Sequence, residues 1–353
     1  MTRELKYFQA IREALDLSLE QDPSVYLMGL GVPDPKGIFG TTLGLQEKYG
    51  PERVMDMPTA ENGMTGVALG SAIAGMRPVM VHQRLDFALL AVEQIVNQAA
   101  KWHYMFAGKS SVPMVIRLVI GRGWGQGPQH SQSLQSWFAH VPGLKVVMPA
   151  TPYDAKGLML SSIRDDNPVI FLEHRWLHNM FGAVPEGDYE VPIGRAHVIR
   201  EGRDVTIAAV SHMVVEALQA SKMLAEVGIE AEVVDVRTLR PLDTETIAAS
   251  VRKTRRILVA DTDWKTGGFS AEIVSWVCEN QFDILKTAPR RVALSDCPVP
   301  TSQVLANPCY PRPVDIARQV CEMVGQSTAD IQVPVESSGI PLDIPDASFA
   351  GPF

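Results

Sequence analysis

Short apolar, β-branched runs alternate with stretches of three- and four-residue hydrophobic spacing from the start of the chain to about Glu173. That alternation is the pattern of parallel βαβ units rather than of a sandwich or a helical bundle. Residues 25–28, 54–57, 78–82, 114–120, 145–148 and 168–173 predict strands, and their unbroken apolar character suits strands covered on both faces. Between them, residues 61–74, 87–106 and 153–163 predict helices, the first two stopped at Gly75 and Gly108. An opening helix places Leu5, Phe8, Ile11 and Leu15 on one face.

From 179 to 204 the periodicity fades into FGAVPEGDYEVPIG, whose Pro and Gly residues predict a connection between domains. A second α/β region follows, with strands at 204–210, 231–236, 256–261 and 291–294 and helices at 214–227, 244–251 and 270–278. The expected organisation is a first domain over 1–180, a linker over 181–204, a second domain over 205–328 and an extended Pro- and Ser-rich tail over 329–353.

Composition narrows the function classes. With 353 residues and 46% hydrophobic content the chain can bury two cores, and 32 basic against 40 acidic residues leave a net charge of −8 that argues against nucleic acid as a partner. Cys278, Cys297, Cys309 and Cys321 form no C-x-x-C pair, which favours reduced thiols in a cytoplasmic protein over a zinc ribbon. No stretch has the length or apolar character of a membrane span, and the opening MTRELKYFQAIREAL lacks the apolar core of a signal peptide. The glycine loop GRGWGQGP at 121–128 fits neither a dinucleotide fingerprint nor a P-loop, and by itself reads as a surface loop. His174 and His178 stand four apart without an HExxH context, so they are expected to be surface or capping histidines rather than metal ligands.

A set of longer phrases carries more information. PTAENGMTGVALGSAIAGMRPV, DFALLAVEQIVNQAAK, QHSQS, PGLKVVMPATPYDAKGLML and RDDNPVIFLE follow one another between 58 and 173, and PIGRAHVIREGRDVTI, GIEAEVVDVRTLRPLD and GGFSAEI continue the series. Together they resemble the β subunits of thiamin-diphosphate-dependent 2-oxo-acid dehydrogenases of the pyruvate and branched-chain type, over about residues 3 to 325. The resemblance implies an α/β fold in which a pyrimidine-binding parallel-sheet domain precedes a transketolase C-terminal-type α/β domain.

The same resemblance assigns residues. Glu61, which on its own reads as a carboxylate favoured at a helix N-terminus by the dipole, matches the glutamate that contacts the cofactor's aminopyrimidine ring nitrogen. His130, otherwise a loop histidine, matches a histidine that holds or protonates oxygen on the substrate or acyl group. Thr59, Gln83 and Phe87 match positions around the pyrimidine, Phe87 standing where an aromatic is usual. A potassium ion is implied by Ser162, Asp165 and Asn167 with the backbone oxygens of Val112, Met114 and Val115, a segment that otherwise reads as a solvated turn.

Departures from the pattern bear on the substrate. This chain reads QRLD where the family usually has Q-F-x-D, so Arg84 replaces an aromatic; it either pairs with a carboxylate or phosphate of the substrate or points to solvent. Val81 stands where a Glu is usual, and Leu134 and Gln135 follow HSQS where an acidic residue is common. The GDG motif and Asn pair that hold diphosphate and Mg2+ are absent from the sequence. The resemblance therefore implies an α subunit carrying that half of the site, in an α2β2 heterotetramer, with a lipoyl acyltransferase as a further partner. The expected activity is decarboxylation of a 2-oxo acid and acyl transfer to a lipoyl group. The alternatives are a split transketolase-like carboligase acting on a sugar or aldehyde acceptor and, less favoured, a noncatalytic scaffold.

Overall fold

The computed structural model describes residues 2–123, 125–329 and 331. Its strands in the first half are β1 (Thr2–Lys6), β2 (Val25–Gly29), β3 (Val54–Met55), β4 (Arg77–His82), β5 (Val115–Ile120), β6 (Lys145–Val147), β7 (Val169–His174) and β8 (Phe181–Pro185). The second half adds β9 (His197–Arg200), β10 (Val205–Ala209), β11 (Ala231–Asp235), β12 (Thr238–Arg240), β13 (Ile257–Trp264) and β14 (Arg290–Leu294).

Strands β3, β2, β4, β5, β7 and β6 lie side by side in a parallel sheet, as their apolar runs predict. Strands β14, β13, β10 and β11 form a second parallel sheet, to which β9 adds an antiparallel edge. The two are fastened together: β12, from the second half, pairs antiparallel with β6 at the margin of the first sheet. One apolar cluster runs through both, joining Met80, Ile116 and Leu172 to Val236, Val259 and Phe269. Burial on this scale is the dominant favourable contribution to folding.

Four expectations change. Leu5 belongs to β1, which pairs with β8, and the helix starts at Tyr7 with Tyr7, Ala10, Ile11, Ala14 and Leu15 as its buried face. The predicted helix over 87–106 is divided into Leu85–Ala88, a 3-10 turn at Leu89–Ala91, a π segment at Glu93–Ala99 and Ala100–Met105. Its buried Ala91, Ile95 and Ala99 recur every four residues, a spacing the wider π turn keeps on one face. The linker over 181–204 contains β8 and β9, short edge strands whose half-exposed residues give no clean alternation. Of the expected tail, 330 and 332–353 lie outside the described residues, while Ile331 is buried in the core of the second half. Among the described residues no helix is long and apolar enough to cross a membrane.

Candidate active site

In a doubly wound parallel sheet the ligand crevice lies beyond the carboxyl ends of the strands. Here β2 leads to Asp34 and Phe39, β4 to Gln83, Arg84 and Phe87, β5 to Gln126 and His130, and β7 to Arg175 and His178. These side chains, far apart in sequence, line one cavity of ≈ 790 Å³.

Glu61 opens the helix Glu61–Ile73 at the same edge, following β3. It is 7% exposed, and its carboxylate has no hydrogen bond or ion pair among the described residues. One turn along, the Thr65 hydroxyl lies 3.3 Å from His82 Nε2 at the end of β4, which fastens this helix beside the Gln83 loop. Burial holds the His82 imidazole neutral, its pKa pushed down to about 4. Gln83 Nε2 donates to the Leu30 carbonyl at 2.9 Å. Phe87 meets the His130 ring edge-on with centroids 5.2 Å apart, giving an aromatic wall with an imidazole at its rim. Thr59 lies exposed in the loop before Glu61. Phe87 and His130 line the cavity and give it one flat apolar face, a surface that suits an aromatic ring, while Glu61 stands at the same sheet edge outside that lining.

Of the two readings left open for Arg84, the solvent-facing one fails. The side chain is 2% exposed, donates from Nη1 to the Gly121 carbonyl at 2.6 Å and from Nη2 to Gln126 Oε1, and keeps Nε buried without a hydrogen-bond partner. Its guanidinium lies over the Phe39 ring at 5.5 Å, and that of Arg175 lies over the same ring at 4.7 Å. Burial, and then the charge of Arg175, lower the Arg84 pKa to about 10; burial does the same to Arg175. Phe39 holds its ring there from a backbone at φ 50°, a region a bulky residue rarely enters. Behind it, Glu173 is buried in pairs with Arg117 and, at 3.2 Å, with His178, and its carboxyl is kept below the usual range despite burial. Sequence reasoning passed over Arg175 and Phe39. The signal for Arg175 was a charge directly after the apolar run VIFLEH, where a parallel strand delivers side chains to the crevice.

His174 and His178 are each 1% exposed, so they are not surface histidines; His174 does act as a cap, accepting from the Trp176 N–H at 3.3 Å. The residues expected to hold potassium are near one another but already engaged. Asp165 pairs with Lys145 and accepts from Asn167, Arg77 donates to the Asp165 carbonyl, and the Ser162 hydroxyl is used on the Leu158 carbonyl. The carbonyls of Val112 and Met114 accept from Met114 and Val169, and Val115 lies in the β5 ladder. Two side-chain cations, Lys145 and Arg77, already stand at this turn. Among the described residues no cluster of His, Cys, Asp and Glu suits a metal.

Comparison with known proteins bears on the same residues. The profile described as transketolase, pyrimidine binding domain, matches residues 3–179, and that of the transketolase C-terminal domain matches 194–316. A rice protein named pyruvate dehydrogenase E1 component subunit beta-2, mitochondrial, is 44% identical over 90% of this chain and 85% of its own length. The beta subunit of acetoin:2,6-dichlorophenolindophenol oxidoreductase from Cupriavidus necator is 43% identical over 90% and 96%. A solved structure titled as a split-gene transketolase, inactive beta4 tetramer, superposes with a TM-score of 0.75 over 91% of this chain and 98% of that one, at 24% identity. That last likeness speaks for the fold.

Proposed function

The chain belongs to the family of thiamin-diphosphate-dependent 2-oxo-acid dehydrogenase β subunits, and on that premise we propose that with an α subunit, as α2β2, it decarboxylates a 2-oxo acid and passes the acyl unit to a lipoyl group. The observation that carries this reading is Glu61 at the first turn of its helix, at the carboxyl edge of the sheet, with its carboxylate unpaired among the described residues.

Thiamin diphosphate, when bound, supplies the electron sink for decarboxylation. Glu61 would hold the cofactor's aminopyrimidine through its ring nitrogen and keep a proton at that atom. Phe87 covers the pyrimidine face, and Gln83, fixed by Leu30, presents its amide beside it. His130 holds or protonates the substrate oxygen from the rim. Diphosphate and Mg2+ fall to the α subunit, since this sequence carries no motif for them. The thiols of Cys278, Cys297 and Cys309, free of disulfides, support a reducing compartment such as the cytoplasm.

The test is reconstitution with the α subunit and assay of carbon dioxide release. Glu61→Ala is expected to abolish decarboxylation, a loss of at least roughly 10²- to 10⁴-fold for a group in proton transfer. Undiminished turnover would remove the assignment.

A further inference from the structure

The cavity beyond Phe87 carries more positive charge than a small, apolar 2-oxo acid needs. Arg84 and Arg175 are 2% and 5% exposed, and their guanidinium groups share the Phe39 ring. Among the described residues Arg84 has no ion pair: its contacts are the neutral Gly121 carbonyl and Gln126 amide oxygen, and its Nε has no partner. No acid nearby is in ion-pair contact with Arg84. Glu173 belongs to Arg117 and His178. Asp86 accepts from Gln132 at 2.8 Å and lies beyond ion-pair distance of Arg84, and Asp34 is the sole carboxylate on the cavity wall. Two like charges kept together in a low dielectric on the wall of one cavity form a site that an anion completes.

We propose that Arg84 and Arg175 bind a second anionic group on the substrate, so that this enzyme's 2-oxo acid is itself acidic at its far end, bearing a carboxylate or a phosphoryl-type oxyanion. The assignment rests on the 2-oxo-acid reading above and adds the substrate class. The chemistry favours the far group over the carboxylate next to the ketone. Decarboxylation breaks the bond to that carboxylate, which departs as neutral carbon dioxide and leaves its electron pair on the substrate carbon. A guanidinium paired to it would stabilise the ground state more than the transition state and slow the step. An anion that stays on the substrate neutralises the arginine pair before and after the bond breaks.

The experiment uses the complex reconstituted with its α subunit and compares kcat/KM for pyruvate and 2-oxoisovalerate with that for 2-oxoglutarate and 2-oxo-4-phosphonobutyrate. The wild-type complex is expected to favour one acidic substrate over the apolar pair by roughly 100-fold or more. Which acid prevails distinguishes carboxylate from phosphoryl chemistry. Arg84→Gln and Arg175→Gln should each shrink that ratio roughly 10- to 100-fold, with Arg175→Lys retaining more of it than Arg175→Gln. Affinity for thiamin diphosphate, read by calorimetry, should be the same in all variants. A wild-type preference for the apolar acids, an equal loss on all four substrates, or weakened cofactor binding in Arg84→Gln would each overturn the assignment. If no 2-oxo acid is decarboxylated, the reading of the enzyme fails, and tryptophan fluorescence titrated with the two acidic compounds judges the site alone: an Arg84-dependent response sustains an anion pocket, and no response overturns it.

Discussion

Asp263 is a residue whose chemistry sits apart from the crevice and is open to measurement. It ends β13 beside Asp261, both 2% exposed or less, and burial followed by the charge of Asp261 pushes its pKa up to about 7. A carboxyl with a folded-state pKa above its unfolded value of about 3.8 holds a proton that the unfolded chain releases. Its contribution to stability is therefore complete below about pH 3.8, declines as pH rises, and is lost above about 7. Asp263→Asn keeps the oxygen that accepts from Trp264 and removes the titration. Between pH 5 and 7 the variant should gain on the wild type by on the order of 1 kcal/mol per pH unit, read as a widening difference in thermal midpoint; parallel curves would contradict it. The sequence shows two acids at the end of an apolar strand and no more, because the packing that buries them together comes from Gln135 in the other half, which donates to Asp261 at 2.8 Å. Arg84 was legible to the same extent: its type and its departure from the family were readable, whereas its burial and its neighbour Arg175 depend on three loops converging.

Elements were read best where periodicity was complete. The central parallel strands and the helices Pro152–Arg164, Met213–Glu226 and Phe269–Gln281 fall where the apolar spacing puts them, because strands buried on both faces and helices packed on them leave continuous patterns. What escaped were the edge strands β1, β8, β9 and β12, which owe their pairing to partners elsewhere in the chain. The junction between the helix Ala100–Met105 and β6 shows such a long-range dependence at atomic scale. Gly143 has φ 100°, and a Cβ built on it would lie 1.8 Å from the Ala100 carbonyl oxygen. Gly143→Ala must displace backbone, and we expect it to cost ~3 kcal/mol or more. Gly187 also has positive φ, 77°, but open space around it, so Gly187→Ala should cost only about 1–2 kcal/mol of backbone strain. Urea unfolding of the two variants checks the contrast, and equal losses would mean that the close approach has no weight.

At the scale of the whole molecule the helix that carries Glu61 has an outer face inconsistent with permanent solvation. Its inward positions Thr65, Ala68, Leu69 and Ala72 are buried, as an amphipathic helix requires. Outward, however, stand Gly63, Val67, Gly70 and Ile73, with Val67 55% exposed and nothing within 4 Å of a Cβ at Gly63 or Gly70. A solvent face of this composition lacks the charged residues that usually occupy it, and small residues along one stripe allow another backbone to come close. The exposed Leu90 lies on the 3-10 turn packed against this helix, and Tyr104, Met105 and Phe106 are exposed further along the same segment. Since the same helix presents Glu61 at its first turn, a partner seated on its outer face would be positioned to complete the cofactor site. Val67→Glu should leave the fold intact, because the side chain has room, and its thermal midpoint should stay close to the wild type. It should nevertheless lose co-elution with the α subunit and, with it, retention of thiamin diphosphate. Co-elution and cofactor retention at wild-type levels would place the α subunit on another face, and with it the missing half of the site.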